Sequence, residues 1–182
     1  MLNMKVLAIS GSLRKDSFNR KALQVAKNFA SEMGAEVKEV DLKELSLPIF
    51  DADIQVPPSV SAIQKEFAKA NILIIATPEY NRSIPGGLKN TLDWVSLASA
   101  VPFEGKVALV LGASDGRFGT VRAQIHLKQV LMALGAIIIP QPEILISYAK
   151  EAFNEDGAFK DPILSEKLKT LIEKGINLAS RM

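Results

Sequence analysis

The sequence predicts a three-layer α/β fold, an open five-stranded parallel sheet with helices on both faces. Short runs of Val, Ile and Leu without in/out alternation recur along the chain, and the stretches between them place apolar residues at helical period. A strand without alternation is covered on both sides, and strands that alternate with helices through right-handed crossovers build a parallel sheet between two helix layers. The length of 182 residues with no cysteine fits one domain, residues 1–182, whose core needs neither disulfide nor structural metal.

The elements follow in order. Residues 5–10 form the first buried strand, and Ala22, Val25, Ala26 and Phe29 give the next segment one apolar helical stripe. Residues 36–40 alternate, as an edge strand with one wetter face does. Residues 41–58 carry three prolines and read as a long irregular loop, of the kind that has a function or is loosely ordered. Residues 71–77 and 106–112 are continuous apolar runs, each followed by a helical stripe, first Leu88, Leu92 and Val95, then Ala123, Leu127, Val130, Leu131 and Leu134. Residues 136–140 and 144–146 form a broken last run before a stripe of Leu164, Leu168, Leu171 and Ile172.

Composition removes several functional classes. Without cysteine there is no thiolate catalysis, cysteine-bound zinc or iron–sulfur cluster, and the single histidine, His126, makes a histidine-built metal site improbable. A net charge of +2 with mixed signs points to neither nucleic acid nor membrane as a partner. No stretch approaches the roughly 18 apolar residues of a membrane span, and residues 1–8 run into a strand rather than a cleavable leader. The expectation is a cytoplasmic protein.

Ligands of open parallel sheets bind beyond the carboxyl ends of the strands. After the first strand come Ser10-Gly11-Ser12-Leu13-Arg14-Lys15-Asp16-Ser17-Phe18-Asn19-Arg20, with a helix starting near Ser17. Hydroxyls, an arginine and the free amides of a helix start suit a phosphate. The nucleoside triphosphate P-loop motif is absent, and no G-x-G-x-x-G follows this strand, so a terminal monophosphate such as that of FMN remains. A plain helix cap by Asp16 or Ser17 explains one hydroxyl but not the cluster.

The run Gly11-Ser12-Leu13-Arg14 with Ser17 and Asn19 resembles the phosphate loop of the NADPH-dependent FMN reductase family, which includes quinone and chromate reductases. The resemblance extends over nearly the whole chain and implies a flavodoxin-like fold with sheet order 2-1-3-4-5, with Ser12, Arg14, Ser17, Phe18 and Asn19 around the FMN phosphate. Pro78-Glu79-Tyr80-Asn81, followed by S-I-P-G-x-x-K-N-x-x-D-W from Ser83, resembles the same family's flavin-ring loop and dimer helix. Pro78 and Pro85 stiffen that loop as a wall for a planar ring. Ser114, Asp115 and Gly116 match the family's third flavin-facing turn, although Asp115, Arg117 and Phe118 depart from its usual Ser-Pro-Gly and small residue.

The implied activity is hydride transfer from NADPH or NADH through FMN to a small acceptor: a quinone, free flavin, chromate or azo compound. The cofactors carry that chemistry, so no catalytic acid or base is expected. The resemblance also implies a homodimer with residues 89–94 in its seam, and a homotetramer built on residues 121–127. Ile125 and Met132 form a second apolar strip on that helix.

Two rivals remain. A flavodoxin-type electron carrier without nicotinamide activity is typically strongly acidic and lacks a central arginine in its phosphate loop, unlike a chain of net charge +2 with Arg14. Gly112-Ala113-Ser114-Asp115-Gly116 is also a G-x-S-x-G, the serine hydrolase elbow. Its only available histidine, His126, lies about three turns into the helix that the elbow starts, too near to fold back over Ser114. Asp51 and Asp53 lack a third metal ligand and read as a solvated turn.

Overall fold

The computed structural model of the protein describes residues 4–98 and 102–182, which leaves out the first three residues of the N-terminal stretch considered above. Its elements are β1 (Lys5–Ser10), α1 (Phe18–Glu32), β2 (Glu36–Asp41), α2 (Leu42–Leu45), α3 (Pro58–Lys69), β3 (Ile72–Ala76), α4 (Gly86–Ser96), β4 (Val107–Ala113), α5 (Val121–Ala133), β5 (Ile137–Ile138), β6 (Ile144–Ile146) and α6 (Pro162–Ala179). All strand pairs are parallel, in the order β2-β1-β3-β4-β5.

Successive residues of the three central strands point to opposite faces, and both faces are covered. Val6, Ala8, Ile72, Ile74, Leu109 and Leu111 pack with Ala22, Leu23 and Ala26 of α1 and Leu168, Leu171 and Ile172 of α6. Leu7, Ile9, Leu73, Ile75, Ala108 and Val110 pack with Ile63 and Phe67 of α3, Leu88 and Leu92 of α4, and Leu127 and Leu131 of α5. This two-sided burial is why β1, β3 and β4 carry no polar alternation. At the edge, β2 buries only Val40 fully and exposes Glu36, Lys38 and Glu39, charges that discourage pairing with a further strand.

The broken last run becomes two strands on one neighbour. β5 pairs with Val107 and Ala108 of β4, and β6 pairs with Leu111 to Ala113 further along. Between them lie Pro140 and Pro142, which have no N–H to give a ladder, so the strand cannot run through.

Residues 41–58 differ from a loose loop. Asp41 Oδ1 accepts the Lys43 N–H at 2.8 Å and caps the single turn of α2. The chain then lies along α4: Asn90 Nδ2 and Trp94 Nε1 each donate to Pro48 O at 2.8 Å, and Phe50 N donates to Asn90 Oδ1 at 2.7 Å. The Phe50 ring meets Trp94 edge-on at 5.1 Å. Trp94 and Asn90, assigned by resemblance to a dimer seam, therefore satisfy their polar atoms within the chain, and Trp94 is fully buried there. Pro58 opens α3 at its first position, where a missing N–H costs nothing.

Candidate functional site

The carboxyl ends of β1, β3 and β4 meet around a hollow of about 170 Å3. The first loop contributes Ser12, Arg14, Ser17, Phe18 and Asn19, the β3 loop Pro78, Glu79 and Tyr80, and the β4 end Ala113, Ser114 and Asp115. Two expected residues are absent from the lining: Asn81 stands at the tip of its turn, and Gly116 is folded into its own loop, where its N–H donates to Ser114 Oγ at 3.3 Å. A larger depression of about 630 Å3 between β6 and α6 is a poorer anion site. Its Lys160 and Lys167 are offset by Glu143, Glu151 and Asp161, and Asp161 Oδ1 already caps α6 by accepting the Ile163 N–H at 2.9 Å.

The first loop folds on its own hydroxyls. Gly11 N donates to Ala76 O at 2.8 Å and carries the β1–β3 ladder one residue further. Ser12 Oγ accepts the Arg14 N–H at 3.4 Å, and Ser17 Oγ accepts the Asn19 N–H at 3.1 Å as the N-cap of α1. Each hydroxyl keeps its own hydrogen to donate. Among the described residues, the N–H groups of Phe18 and Arg20 in the first turn of α1 have no protein partner, and the Arg14 guanidinium has neither ion pair nor hydrogen bond. Free amides at the positive end of a helix dipole, with an arginine nearby, are the kind of donors an anion site is built from.

Asn19 does something else. Its Nδ2 donates to Ala113 O at 2.9 Å and its Oδ1 accepts the Ala113 N–H at 2.8 Å, both buried. The amide ties the start of α1 to the end of β4 and so shapes the hollow, with one of its two Nδ2 hydrogens left without a partner among the described residues. Arg20, one residue on, makes a two-point ion pair with Asp41 through Nη1 and Nη2, each at 2.9 Å. That hydrogen-bonded pair holds the Asp41 carboxyl below the usual carboxylate range.

The β3 loop is a two-residue hairpin. Tyr80 N donates to Ser83 O at 2.9 Å and Ser83 N to Tyr80 O at 3.0 Å. Asn81 (φ +49°) and Arg82 (φ +66°) both occupy the left-handed region, as a type I′ turn demands. Tyr80 is left half-exposed at the mouth of the hollow. Glu79 lines the hollow, but its carboxylate turns to the start of α5: Oε2 accepts the N–H groups of Arg122 at 2.9 Å and Ala123 at 3.2 Å, and Oε1 lies 3.5 Å from Arg122 Nη1.

The third wall is sewn to the loop after β6. Asp115 Oδ1 accepts the Lys150 N–H at 3.0 Å and Oδ2 pairs with Lys150 Nζ at 2.8 Å, so its carboxyl sits below the usual range, held there first by the bond from Lys150. Ser147 Oγ donates to Arg117 O at 2.8 Å and Ala149 N to Ser114 O at 3.1 Å. The unusual Asp115 thus stitches two loops together. Neither Lys150 nor Ala113 carries a sequence signal for these roles, Ala113 because it acts through its backbone.

The hydrolase elbow dissolves at the same place. Ser114 Oγ donates to Gly119 O at 2.6 Å, while His126 Nδ1 lies 3.1 Å from Ser83 Oγ, so serine and histidine serve different partners. Gly112 is glycine for packing: a Cβ there would overlap Thr120 Oγ1 and the Thr77 carbonyl oxygen.

Comparison with known proteins agrees with this geometry. The family model described as NADPH-dependent FMN reductase matches residues 4–151. An NAD(P)H-dependent FMN reductase of Pseudomonas aeruginosa is 41% identical over 175 residues, covering 94% of this chain and 91% of the relative. A quinone reductase of Escherichia coli K12 is 37% identical over 147 residues, covering 78% of this chain and 77% of the relative. Among solved structures, FerB, a flavoenzyme NAD(P)H:(acceptor) oxidoreductase from Paracoccus denitrificans, superposes with a TM-score of 0.86 at 30% identity over 98% of both chains. Strand order, the hollow at the sheet's carboxyl edge and a match across most of the sequence agree, and the chain belongs to the NADPH-dependent FMN reductase family.

Proposed function

We propose that the chain holds FMN with its phosphate in the hollow and transfers reducing equivalents from NADPH or NADH to a small acceptor, a quinone, free flavin, chromate or azo compound, in the cytoplasm. One observation carries this reading: Arg14, which has no ion-pair partner among the described residues, and Ser12 and Ser17 line the hollow together with Phe18, where α1 starts and leaves the Phe18 and Arg20 N–H groups without protein partners. That donor set fits a phosphate dianion, with one permanent charge and several neutral donors. The volume of the hollow suits the phosphate end rather than a whole flavin, which leaves the ring for the open side beside Pro78 and Tyr80.

FMN, when bound, would supply the two-electron redox chemistry that links NAD(P)H to the acceptor, with the protons of a reduced quinone coming from NAD(P)H and solvent. The protein's part is positional. Arg14, Ser12 and Ser17 hold the anion, Asn19 and Asp115 keep two walls of the hollow in place, and the Pro78–Tyr80 backbone walls the ring. An open mouth accepts donor and acceptor in turn, which requires no acid or base from the chain. We also propose at least a homodimer, and a homotetramer as a further step, with the exposed Ile125 and Met132 of α5 as contact residues; a mass near 20 kDa in light scattering would overturn that assembly.

The test is an absorption spectrum followed by an assay. The purified protein, supplied with FMN, shows flavin bands and oxidises NADPH or NADH with a quinone. A colourless protein in excess FMN overturns the cofactor, and a yellow protein without NAD(P)H oxidation overturns the reductase in favour of an electron carrier. Arg14→Ala weakens FMN by about 10- to 100-fold, the worth of hydrogen bonds to a charged group, and leaves riboflavin, which has no phosphate, unaffected.

A further inference from the structure

Helix α5 begins without a cap of its own. Its N-cap residue is Thr120, but the Thr120 side chain makes no capping bond; Thr120 Oγ1 instead accepts from Gln124 Nε2 at 3.1 Å. The two N–H groups that an N-cap side chain ordinarily satisfies, those of the second and third helical residues, belong here to Arg122 and Ala123. Both donate to Glu79 Oε2, a residue 43 and 44 positions away in the chain. The Glu79 side chain is 12% exposed, so the contact is a shielded one.

A second link runs between the same two elements. Ser83 closes the other end of the hairpin that follows Glu79, and its Oγ lies 3.1 Å from Nδ1 of His126, one helical turn beyond Arg122. The hairpin that carries Tyr80 is thus fastened to α5 at both ends. Its two central residues, Asn81 and Arg82, hold left-handed torsions that are unfavourable for non-glycine residues and persist only where the surroundings enforce them. Glu79 and Ser83, on either side of the turn, are its tethers to α5.

We propose that Glu79 is a positioning residue for the flavin ring: as a remote cap of α5 it locks the Pro78–Ser83 wall against the β4–α5 wall, with the Ser83–His126 contact as a second latch. This deepens the proposed function and rests on it. Glu79 then acts on flavin without touching it. The latch governs the ring end of the site and leaves the phosphate end to Arg14.

Titration of the full-length protein, freed of flavin, with FMN and with riboflavin tests the assignment. Glu79→Ala weakens both ligands by the same factor, about tenfold, the worth of a helix cap, and changes the visible circular dichroism of the bound flavin. Glu79→Gln keeps an acceptor oxygen at the same reach and recovers most of the affinity, whereas loss of general stability alone would move the melting temperature and leave the spectrum of the folded, loaded protein unchanged. His126→Ala gives a smaller loss of the same kind, and decides the matter should Glu79→Ala fail to fold. Equal affinities in wild type and variants, or a loss confined to FMN, overturn the latch while flavin binding stands. Failure of the wild type to bind either flavin overturns the proposed function and the latch with it.

Discussion

Gly112 is where the packing behind the site is tightest, and Gly112→Ala should show it. The added methyl would overlap two atoms that have little room to leave. Thr120 Oγ1 belongs to a fully buried side chain, and the Thr77 carbonyl belongs to backbone whose own N–H is bonded to Leu111 O at 2.9 Å. Overpacking by one methyl costs about 1–3 kcal/mol where neighbours can yield. With a backbone oxygen in the way the loss falls at the upper end, about 3 kcal/mol, or a fall in Tm of about 6–12 °C for a chain of this size. Adding Thr120→Ala removes one obstacle and leaves the other, so the double variant remains destabilised by about 2 kcal/mol. Urea denaturation and calorimetry measure both. FMN affinity falls in parallel, because β4 continues into Ala113, the partner of Asn19. A Gly112→Ala protein within about 0.5 kcal/mol of wild type would refute the close approach of β4 to Thr77 and Thr120.

Four further outcomes follow from the same contacts. Arg82→Gly relieves a left-handed torsion of about 1–2 kcal/mol and gives back about 0.4–1 kcal/mol in chain entropy, so calorimetry finds a Tm about 1–3 °C higher; a fall would mean that the Arg82 side chain itself holds the hairpin. Asn19→Ala leaves the buried Ala113 N–H and C=O without partners and costs about 2–4 kcal/mol in urea denaturation, together with weaker FMN binding; a neutral result would show that the amide bridge is dispensable. Ser114→Ala loses two loop hydrogen bonds, to Gly119 O and from Gly116 N–H, about 1–2 kcal/mol, and retains NAD(P)H oxidation; abolished activity with full flavin loading would give Ser114 a direct role. Asp41 titrates below its unfolded value of about 3.9 because of Arg20, so the stability it contributes is present above that value and lost as pH falls through the lowered one. In urea titrations the gap between wild type and Asp41→Asn therefore closes between about pH 4 and the lowered value, and a gap unchanged down to pH 3 would refute the link.

The fold was legible because burial leaves a plain mark on composition. Residues 72–76 are all buried and all apolar, and a run that short and rich in Ile is what a strand covered on two faces asks for. The last run read as one broken strand of a five-stranded sheet, whereas the structure divides it into β5 and β6 and makes six strands, because Pro140 and Pro142 cannot join a ladder. The site was half legible, and the division has a physical cause. A motif tells which residues gather at a hollow, but not which way their polar atoms turn. Arg14, Ser12 and Ser17 keep donors free, whereas Asn19 is tied to Ala113, the Glu79 carboxylate accepts from Arg122 and Ala123, Ser114 donates to Gly119, and the Asp115 carboxylate accepts from Lys150. Those partners lie up to 94 positions away and most are reached through backbone atoms, which no side chain advertises. On the proposed reading the residues of the hollow act in two ways that substitution can separate. Altering a member of the framework changes the shape offered to any flavin, charged or not, while altering Arg14 changes affinity only for a ligand that carries the phosphate.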